Sequence, residues 1–268
     1  MSFLVKKEKG KLIINCMGGY ETRNPSTIWC VEQADKIYNW PNFKEIKILT
    51  RDYETLDNQY TFSKQKSFNC LVPDFNFHSW PQVGVNDYTE TTQQISEYGK
   101  KPYKVNKVGW IGNINTNKYR GRLLELGTEN PDIFDVYSME WKRNTGQTFL
   151  EGSKYISLPE LVETYSLLID IEGYGYSGRL KYLLWSHRPV LLVDRPHKEY
   201  FFEHLKEWVH FVPVKQDLSD LIEKTKWCIE NEEKAKEIAE NAYEFSKKYL
   251  TREACYEQWN KIIQEISK

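Results

Sequence analysis

A short stretch in the C-terminal half combines a flexible backbone with groups that bind anions. Between the apolar runs LLIDI and VLLVD the sequence reads EGYGYSGRLKYLL. Glycines let a backbone approach an anion closely, and Ser177 and Arg179 supply a hydroxyl and a guanidinium at the predicted start of a helix. Arg179 opposes the helix dipole there, a conflict that a bound anion would remove. The alternative is a glycine-rich turn with a surface arginine, since the spacing matches neither a P-loop nor GxGxxG.

An aspartate follows a second predicted strand. The run EIKILT (45–50) is typical of a buried strand, and Asp52 comes directly after it in TRDYE. A carboxylate at the end of a strand can act as a general base, but it can equally cap a helix or pair with Arg51. Asp194, which ends VLLVD, has the same two interpretations.

The elements that must position these residues alternate along the chain in two sets. Strands are predicted at 11–16 and 45–50, then, after an irregular stretch at 53–106, at 107–112, 134–139, 167–171, 189–194 and 210–214. Helices are predicted at 26–40 with Ser26 as cap, at 118–130, 158–165, 177–187 and 198–208, and from 218 onward.

This alternation predicts an α/β fold with two parallel-sheet, Rossmann-like lobes. Ligands bind beyond the carboxyl ends of the strands in such sheets. The pair Arg51-Asp52, the loop 113–120 and the segment 173–179 all follow predicted strands. We therefore expect them to meet in one cleft.

The composition narrows the class of protein. The net charge of −1 over 268 residues, with both signs mixed along the chain, gives no nucleic-acid stripe and no polybasic patch. The five cysteines form no CxxC pattern and indicate reduced thiols rather than a zinc site. No apolar run is long enough for a signal peptide or a membrane span. We expect a soluble, cytoplasmic protein without a metal, and peripheral membrane association stays open.

Several stretches together resemble glycosyltransferase family 90. This family includes the protein O-glucosyltransferases of the Rumi type, the fungal capsule xylosyltransferases and the bacterial lipopolysaccharide-modifying transferases. The C-terminal phrase LKEWVHFVPVKQDLSDL is very similar to the wording of the family. Upstream, ILTRDYE, PDFNFHSW and GWIGNINTNKYRGRLLEL resemble its further conserved segments, in the same order. The resemblance covers most of the chain.

The resemblance implies a GT-B-like fold with the active site in the cleft between two lobes. Residues 1–104, completed by a C-terminal helix at about 246–268, would form the acceptor-side lobe, and residues 105–245 the nucleotide-sugar-binding lobe. It also implies inverting transfer of glucose or xylose from a UDP-sugar to a hydroxyl of a glycan or protein acceptor, with no metal or other cofactor.

Site residues follow from the same resemblance, position by position. Asp52 matches the general base, and Asp74 and Trp80 match positions beside the acceptor and the transferred sugar. Arg120, Ser177 and Arg179 fall at the diphosphate. The full donor-binding set comprises Asn113, Arg120, Glu172, Gly173, Tyr174, Gly175, Tyr176, Ser177 and Arg179.

Three departures from the family pattern bear on function. Ile111 replaces an arginine, His78 stands at a usual proline, and the chain is shorter than secreted relatives. The length favours a bacterial- or viral-type enzyme that acts on glycan precursors. Ile111 supports an alternative, a catalytically inactive carbohydrate- or nucleotide-sugar-binding protein.

A nucleotide-sugar epimerase or dehydrogenase would need GxGxxG and Tyr-x-x-x-Lys. The spacing of Glu199 and Glu207, which matches the paired glutamates of retaining enzymes, is interpreted as chance.

Overall fold

The computed structural model describes residues 1–19, 21–52, 56, 58–144, 147–152 and 154–267. Its strands are β1 (Ser2–Glu8), β2 (Lys11–Cys16), β3 (Phe43–Leu49), β4 (Tyr60–Thr61), β5 (Val105–Gly112), β6 (Phe134–Ser138), β7 (Glu140–Asn144), β8 (Gln147–Glu151), β9 (Tyr165–Asp170), β10 (Val190–Val193) and β11 (Val212–Val214). Its α-helices are α1 (Arg23–Tyr38), α2 (Tyr88–Gly99), α3 (Lys118–Glu129), α4 (Leu158–Thr164), α5 (Leu180–Leu183), α6 (Leu221–Glu230), α7 (Glu232–Tyr249) and α8 (Arg252–Ile266).

The C-terminal half contains the predicted parallel sheet. Its strand order is β6-β5-β9-β10-β11, and the strands that pair run parallel. Every residue of β9 and β10 is buried, as the continuous apolar runs predict for a sheet covered on both faces. In chain order the strands read 2-1-3-4-5, a doubly wound arrangement whose direction reverses between β5 and β9. Ligands bind at this switch point in such sheets.

The N-terminal sheet differs from the parallel sheet that the sequence predicts. Its order is β2-β1-β3-β4, with β1 antiparallel to both β2 and β3 and only β3 and β4 parallel. The cause is a hairpin, because Lys9 and Gly10 both have positive φ and turn the chain directly from β1 into β2. The expectation of a first strand at 11–16 missed β1, whose three charged residues conceal its alternation.

Four expected elements also need correction. Helix α1 begins at Arg23, so Ser26 lies inside the helix, buried, and is no cap. Helix α2, capped by Asp87, lies within the stretch expected to be irregular. The helix expected at 177–187 is the single turn α5, and the helix expected at 198–208 is a 3₁₀ turn, Tyr200–His204.

One hydrophobic cluster joins the two halves of the chain. Phe3, Trp40 and Phe75 of the N-terminal half belong to the same buried cluster as Leu168 and Leu180 of the C-terminal half. A second cluster lies on the other face of the parallel sheet, among residues of α3, α6 and α7. Helix α8 returns to pack on α1 and β3. The division at 104/105 stays a prediction.

None of the described helices combines the length and the apolar character needed to cross a membrane.

The packing of α2 gives a test of the fold. A β-carbon at Gly99 would overlap the backbone carbonyl of Ser186, which cannot swing away as a side chain can. We expect Gly99→Ala to lower the free energy of unfolding by about 2 kcal/mol, the scale of overpacking. The control is Gly121→Ala in α3, where nothing lies within 4 Å and a gain of about 0.5–1 kcal/mol is expected. Urea unfolding measures both, and equal effects would contradict the packing.

Candidate active site

A cavity of about 570 Å³ opens at the switch point of the parallel sheet, a size typical of small-molecule sites. Its walls come from the loops after β5 and β9 and from the segments around Arg23 and Trp80 of the N-terminal half. Nine of the residues expected at the site line it, namely Asp52, Trp80, Asn113, Arg120, Gly173, Tyr174, Tyr176, Ser177 and Arg179.

Arg120 joins the two loops that flank the switch point. Its Nε donates to the Glu172 carbonyl at 2.8 Å, and Nη2 donates to the Ile171 carbonyl at 3.0 Å. Its Nη1 donates to the Asn113 carbonyl at 3.1 Å and to Thr116 Oγ1 at 2.9 Å. These acceptors are neutral, so its charge is not cancelled. Burial first, and then Arg179, lowers the pKa of Arg120 to about 9.

Arg179 is the group best placed to take an anion. Within the described ranges its guanidinium has no hydrogen bond and no ion pair, and it lies over the Trp110 ring, 5.6 Å from the centroid. Burial lowers the pKa of Arg179, while Asp170 raises it. A guanidinium has five N–H donors in a planar fork that fits two phosphate oxygens at once.

Ser177 has a different partner from the one expected. Its hydroxyl donates to Asp170 Oδ1 at 2.7 Å, and the other Asp170 oxygen accepts from Arg195. Ser177 is therefore not a helix cap. Helix α5 is a single turn of four residues, so its dipole adds little positive charge at this end. The positive charge in this part of the cavity comes from arginine side chains.

Asp52 forms an ion pair that the sequence did not indicate. Arg23 Nη1 lies 2.7 Å from Asp52 Oδ1, and the Asp52 side chain keeps 25% of its surface exposed. Ser63 Oγ donates to the Asp52 carbonyl at 2.8 Å, which fixes the backbone. In the part of the chain that the structure describes, Oδ2 makes no hydrogen bond or ion pair, so it can accept a proton from a ligand.

Aromatic rings form one side of the cavity. The Trp80 ring stacks on Trp141 with centroids 6.4 Å apart and meets Phe75 edge-on at 5.5 Å. Trp141 lies on the β7–β8 hairpin, is 39% exposed and lines the cavity. Flat, half-exposed faces of this kind can stack on sugar rings. Sequence reasoning singled out neither residue: Arg23 lies seven residues after the strand predicted at 11–16, and Trp141, which does follow the strand predicted at 134–139, belongs to no motif.

Among the described residues, no group of three or more His, Cys, Asp and Glu side chains could hold a metal ion.

The comparison with protein families is decisive. The sequence profile of Glycosyl transferase family 90 matches residues 37–268. The chain belongs to this family.

Relatives in the family carry glycosyltransferase names. Human Protein O-glucosyltransferase 1 is 29% identical over 84% of this chain and 62% of its own length. Human Protein O-glucosyltransferase 3 is 29% identical over 59% of this chain and 33% of its length. Uncharacterized protein 035R of Invertebrate iridescent virus 3 is 30% identical over 60% of this chain and 16% of its own. The chain spans less than two thirds of each of these relatives.

Solved structures show weaker similarity. HepE from Anabaena, crystallised with UDP, has a TM-score of 0.39 at 13% identity, over 69% of this chain and 46% of its own. TarM has a TM-score of 0.46 at 17% identity, over 61% of this chain and 36% of its own.

Three site residues expected from the family pattern do not line the cavity. Glu172 is buried behind it and accepts from Asn117 and Gln216, each at 3.3 Å. Burial raises the pKa of Glu172, against the effect of Arg195. Gly175 is buried. Asp74 is buried as well, and its Oδ2 lies 3.0 Å from the ammonium of Lys181, so its carboxylate is occupied by an ion pair.

Glu199, interpreted above as half of a chance spacing, also reaches Lys181, at 2.8 Å. Burial raises the pKa of Glu199 from 4.5 to about 7; Lys181 opposes the rise and Asp74 adds to it. The native protein therefore keeps this proton to higher pH than the unfolded chain does. The contribution of Glu199 to the free energy of unfolding falls as pH rises from about 4.5 to about 7.

Replacing Glu199 by Gln tests this assignment. We expect the advantage of wild type over Glu199→Gln in free energy of unfolding to shrink by about 3 kcal/mol at most between pH 4.5 and pH 7. Above about pH 8, where Glu199 is ionised in both states, the difference should be constant. Chemical denaturation across this range provides the measurement, and a difference independent of pH would contradict the assignment.

Proposed function

We propose that the chain is an inverting glycosyltransferase that moves glucose or xylose from a UDP-sugar to a hydroxyl of a glycan or protein acceptor. One observation carries the proposal: the Arg179 guanidinium and the Asp52 carboxylate line the same cavity. Within the described chain, Arg179 forms no ion pair with an acidic side chain. The names of the O-glucosyltransferase relatives support the same reaction.

The two charges suit the two ends of an inverting displacement. Asp52 takes the proton of the acceptor hydroxyl as the hydroxyl oxygen forms its bond to the anomeric carbon. The bond from that carbon to the β-phosphate oxygen breaks, and its electron pair leaves with UDP. Arg120 and Arg179 neutralise the charge that develops on the diphosphate. We propose that they do so without a metal, because two guanidinium groups already face the site.

Arg23 has a definite part in this mechanism. Its ion pair with Asp52 Oδ1 holds the carboxylate in one orientation and leaves Oδ2 for the acceptor proton. Trp80, beside Gly178, supplies an apolar face for the transferred sugar. A β-carbon at Gly178 would lie 3.1 Å from Trp80 Cζ3, so the indole packs directly on the donor-binding backbone.

A second candidate function is a protein that binds nucleotide sugars without turnover. Ile111 favours it, because this buried side chain lines the cavity and cannot contact a phosphate as the arginine of the family pattern could. UDP binding without hydrolysis or transfer over a broad acceptor panel would establish this alternative.

Replacing the base tests the proposed reaction. Asp52→Asn keeps an oxygen for Arg23 but cannot take a proton. We expect UDP affinity to be unchanged and the rate of transfer or donor hydrolysis to fall at least about a hundredfold. Calorimetry with UDP and a turnover assay with UDP-glucose and UDP-xylose measure the two effects. Near-normal turnover in the variant would show that Asp52 is not the base.

Replacing the free guanidinium tests the diphosphate site. We expect Arg179→Ala to weaken UDP binding about tenfold or more, because a charge-assisted phosphate contact contributes about 1.5–3 kcal/mol. The matched control is Arg122→Ala, since Arg122 lies exposed on α3 and pairs with Glu125 at 2.9 Å. Calorimetry is performed in the presence of a chelator, so that it also tests whether UDP binds without a metal ion. Equal UDP affinities in both variants would count against the diphosphate role.

A further inference from the structure

Three charged side chains form a buried cluster behind the cavity wall. The Lys181 ammonium lies 3.0 Å from Asp74 Oδ2 and 2.8 Å from Glu199 Oε1, and Lys181 is 0% exposed. Burial acts to lower the pKa of Lys181, but the effect of the two carboxylates is larger. The pKa of Lys181 is therefore raised above its usual value, and the amine stays protonated. None of the three is part of the cavity lining in the described chain, so the proposed reaction gives them no contact with substrate.

The cluster is a poor device for stability alone. Removing charges from water costs several kcal/mol per ion, and apolar residues of the same volume often give equal or greater stability. Glu199 Oε2 is buried without a hydrogen-bond partner in the described ranges, which adds to the cost. Fixing the relative position of two segments is the best-attested use of such buried groups.

The segments that Lys181 fixes are two walls of the cavity. Lys181 lies on α5, two residues after Arg179. Asp74 caps the 3₁₀ turn Phe75–Phe77, which leads to Trp80. One ammonium group therefore connects the wall with the diphosphate arginine to the wall with the aromatic face.

Contacts around Asn76 complete this joint. Asn76 Nδ2 donates to Asp74 Oδ2 at 2.7 Å, and the Tyr182 hydroxyl donates to the Asn76 carbonyl at 3.1 Å. A β-carbon at Gly178 would lie 2.6 Å from Asn76 Nδ2, so the segments touch without room for a side chain. The lysine contact is the charged part of the joint.

We propose that Lys181 is a positioning residue. Through its ion pairs with Asp74 and Glu199 it fixes the spacing between the Arg179 guanidinium and the cavity wall that contains Trp80. This inference rests on the proposed function. The spacing decides where the sugar of a bound UDP-sugar lies relative to Asp52. A shift of about 1 Å at a reacting centre can cost about a hundredfold in rate. UDP itself contacts the arginine wall, so its affinity does not depend on the spacing.

The test removes the cluster without leaving a charge uncompensated. The variant Asp74→Asn/Lys181→Met/Glu199→Gln is neutral at all three positions. The control, Lys7→Met/Asp35→Asn, removes another ion pair, formed by buried Lys7 and part-buried Asp35 at an N–O distance of 2.7 Å, outside the cavity lining. For each protein we measure kcat and KM for UDP-glucose hydrolysis per folded molecule, UDP affinity by calorimetry, and Tm.

We expect kcat of the triple variant to fall at least about tenfold while its UDP Kd stays within about threefold. The control should lose stability and keep its kcat. An unchanged kcat in the triple variant overturns the inference, as does an equal loss in the control. A Kd for UDP that rises by the same factor as kcat falls overturns it too. Lys181 would then hold Arg179 in place for UDP binding rather than fix the distance between the two cavity walls.

If the triple variant does not fold, Lys181→Arg makes the same test, because it keeps the charge and changes the length. The same loss of kcat at constant UDP affinity is expected, and an unchanged kcat overturns the inference.

A wild-type protein that neither binds UDP nor hydrolyses UDP-glucose refutes the proposed function, and this inference falls with it. That result is distinct from an active wild type whose variants are unaffected.

Discussion

The site depends on one constraint: the fold holds two positively charged arginines at the switch point, and neither forms an ion pair with a carboxylate in the described chain. Arg120 gives its described hydrogen bonds to neutral oxygens, and Arg179 gives none within the described chain. Burial lowers the pKa of both groups, which expresses the cost of keeping these charges away from water. An anionic ligand repays that cost. A diphosphate supplies two or more acceptor oxygens and the opposite charge, and it fits the planar fork of arginine.

The fold brings an acid to the same cavity from a second sheet. The doubly wound order of the parallel sheet creates the switch point, and Arg120 and Arg179 lie in segments that follow its strands. The N-terminal sheet is mostly antiparallel, yet Asp52 still follows its strand β3 and reaches the cavity, where Arg23 at the start of α1 holds it. A shared hydrophobic cluster and the Lys181 ion pairs keep the two parts in register.

Sequence reasoning succeeded where the signal is local. The runs LLIDI and VLLV are buried throughout as strands, and the glycine-rich segment between them does reach the cavity. It failed where long-range contacts decide. Arg23 meets Asp52 across 29 positions, and Lys181 meets Asp74 across 107. No periodicity reports such a pair. Helix α2 was missed because its buried face contains threonine, serine and glycine rather than a clear apolar stripe.

A crystal structure of the protein with UDP tests most directly whether the uncompensated arginine charge binds a diphosphate. We expect both phosphates inside the cavity, with oxygens about 3 Å from the Arg179 guanidinium and with Asp52 in the same enclosure. A nucleotide bound at another surface, or a diphosphate in the cavity with Arg179 turned away from it, would show that this charge does not bind the diphosphate.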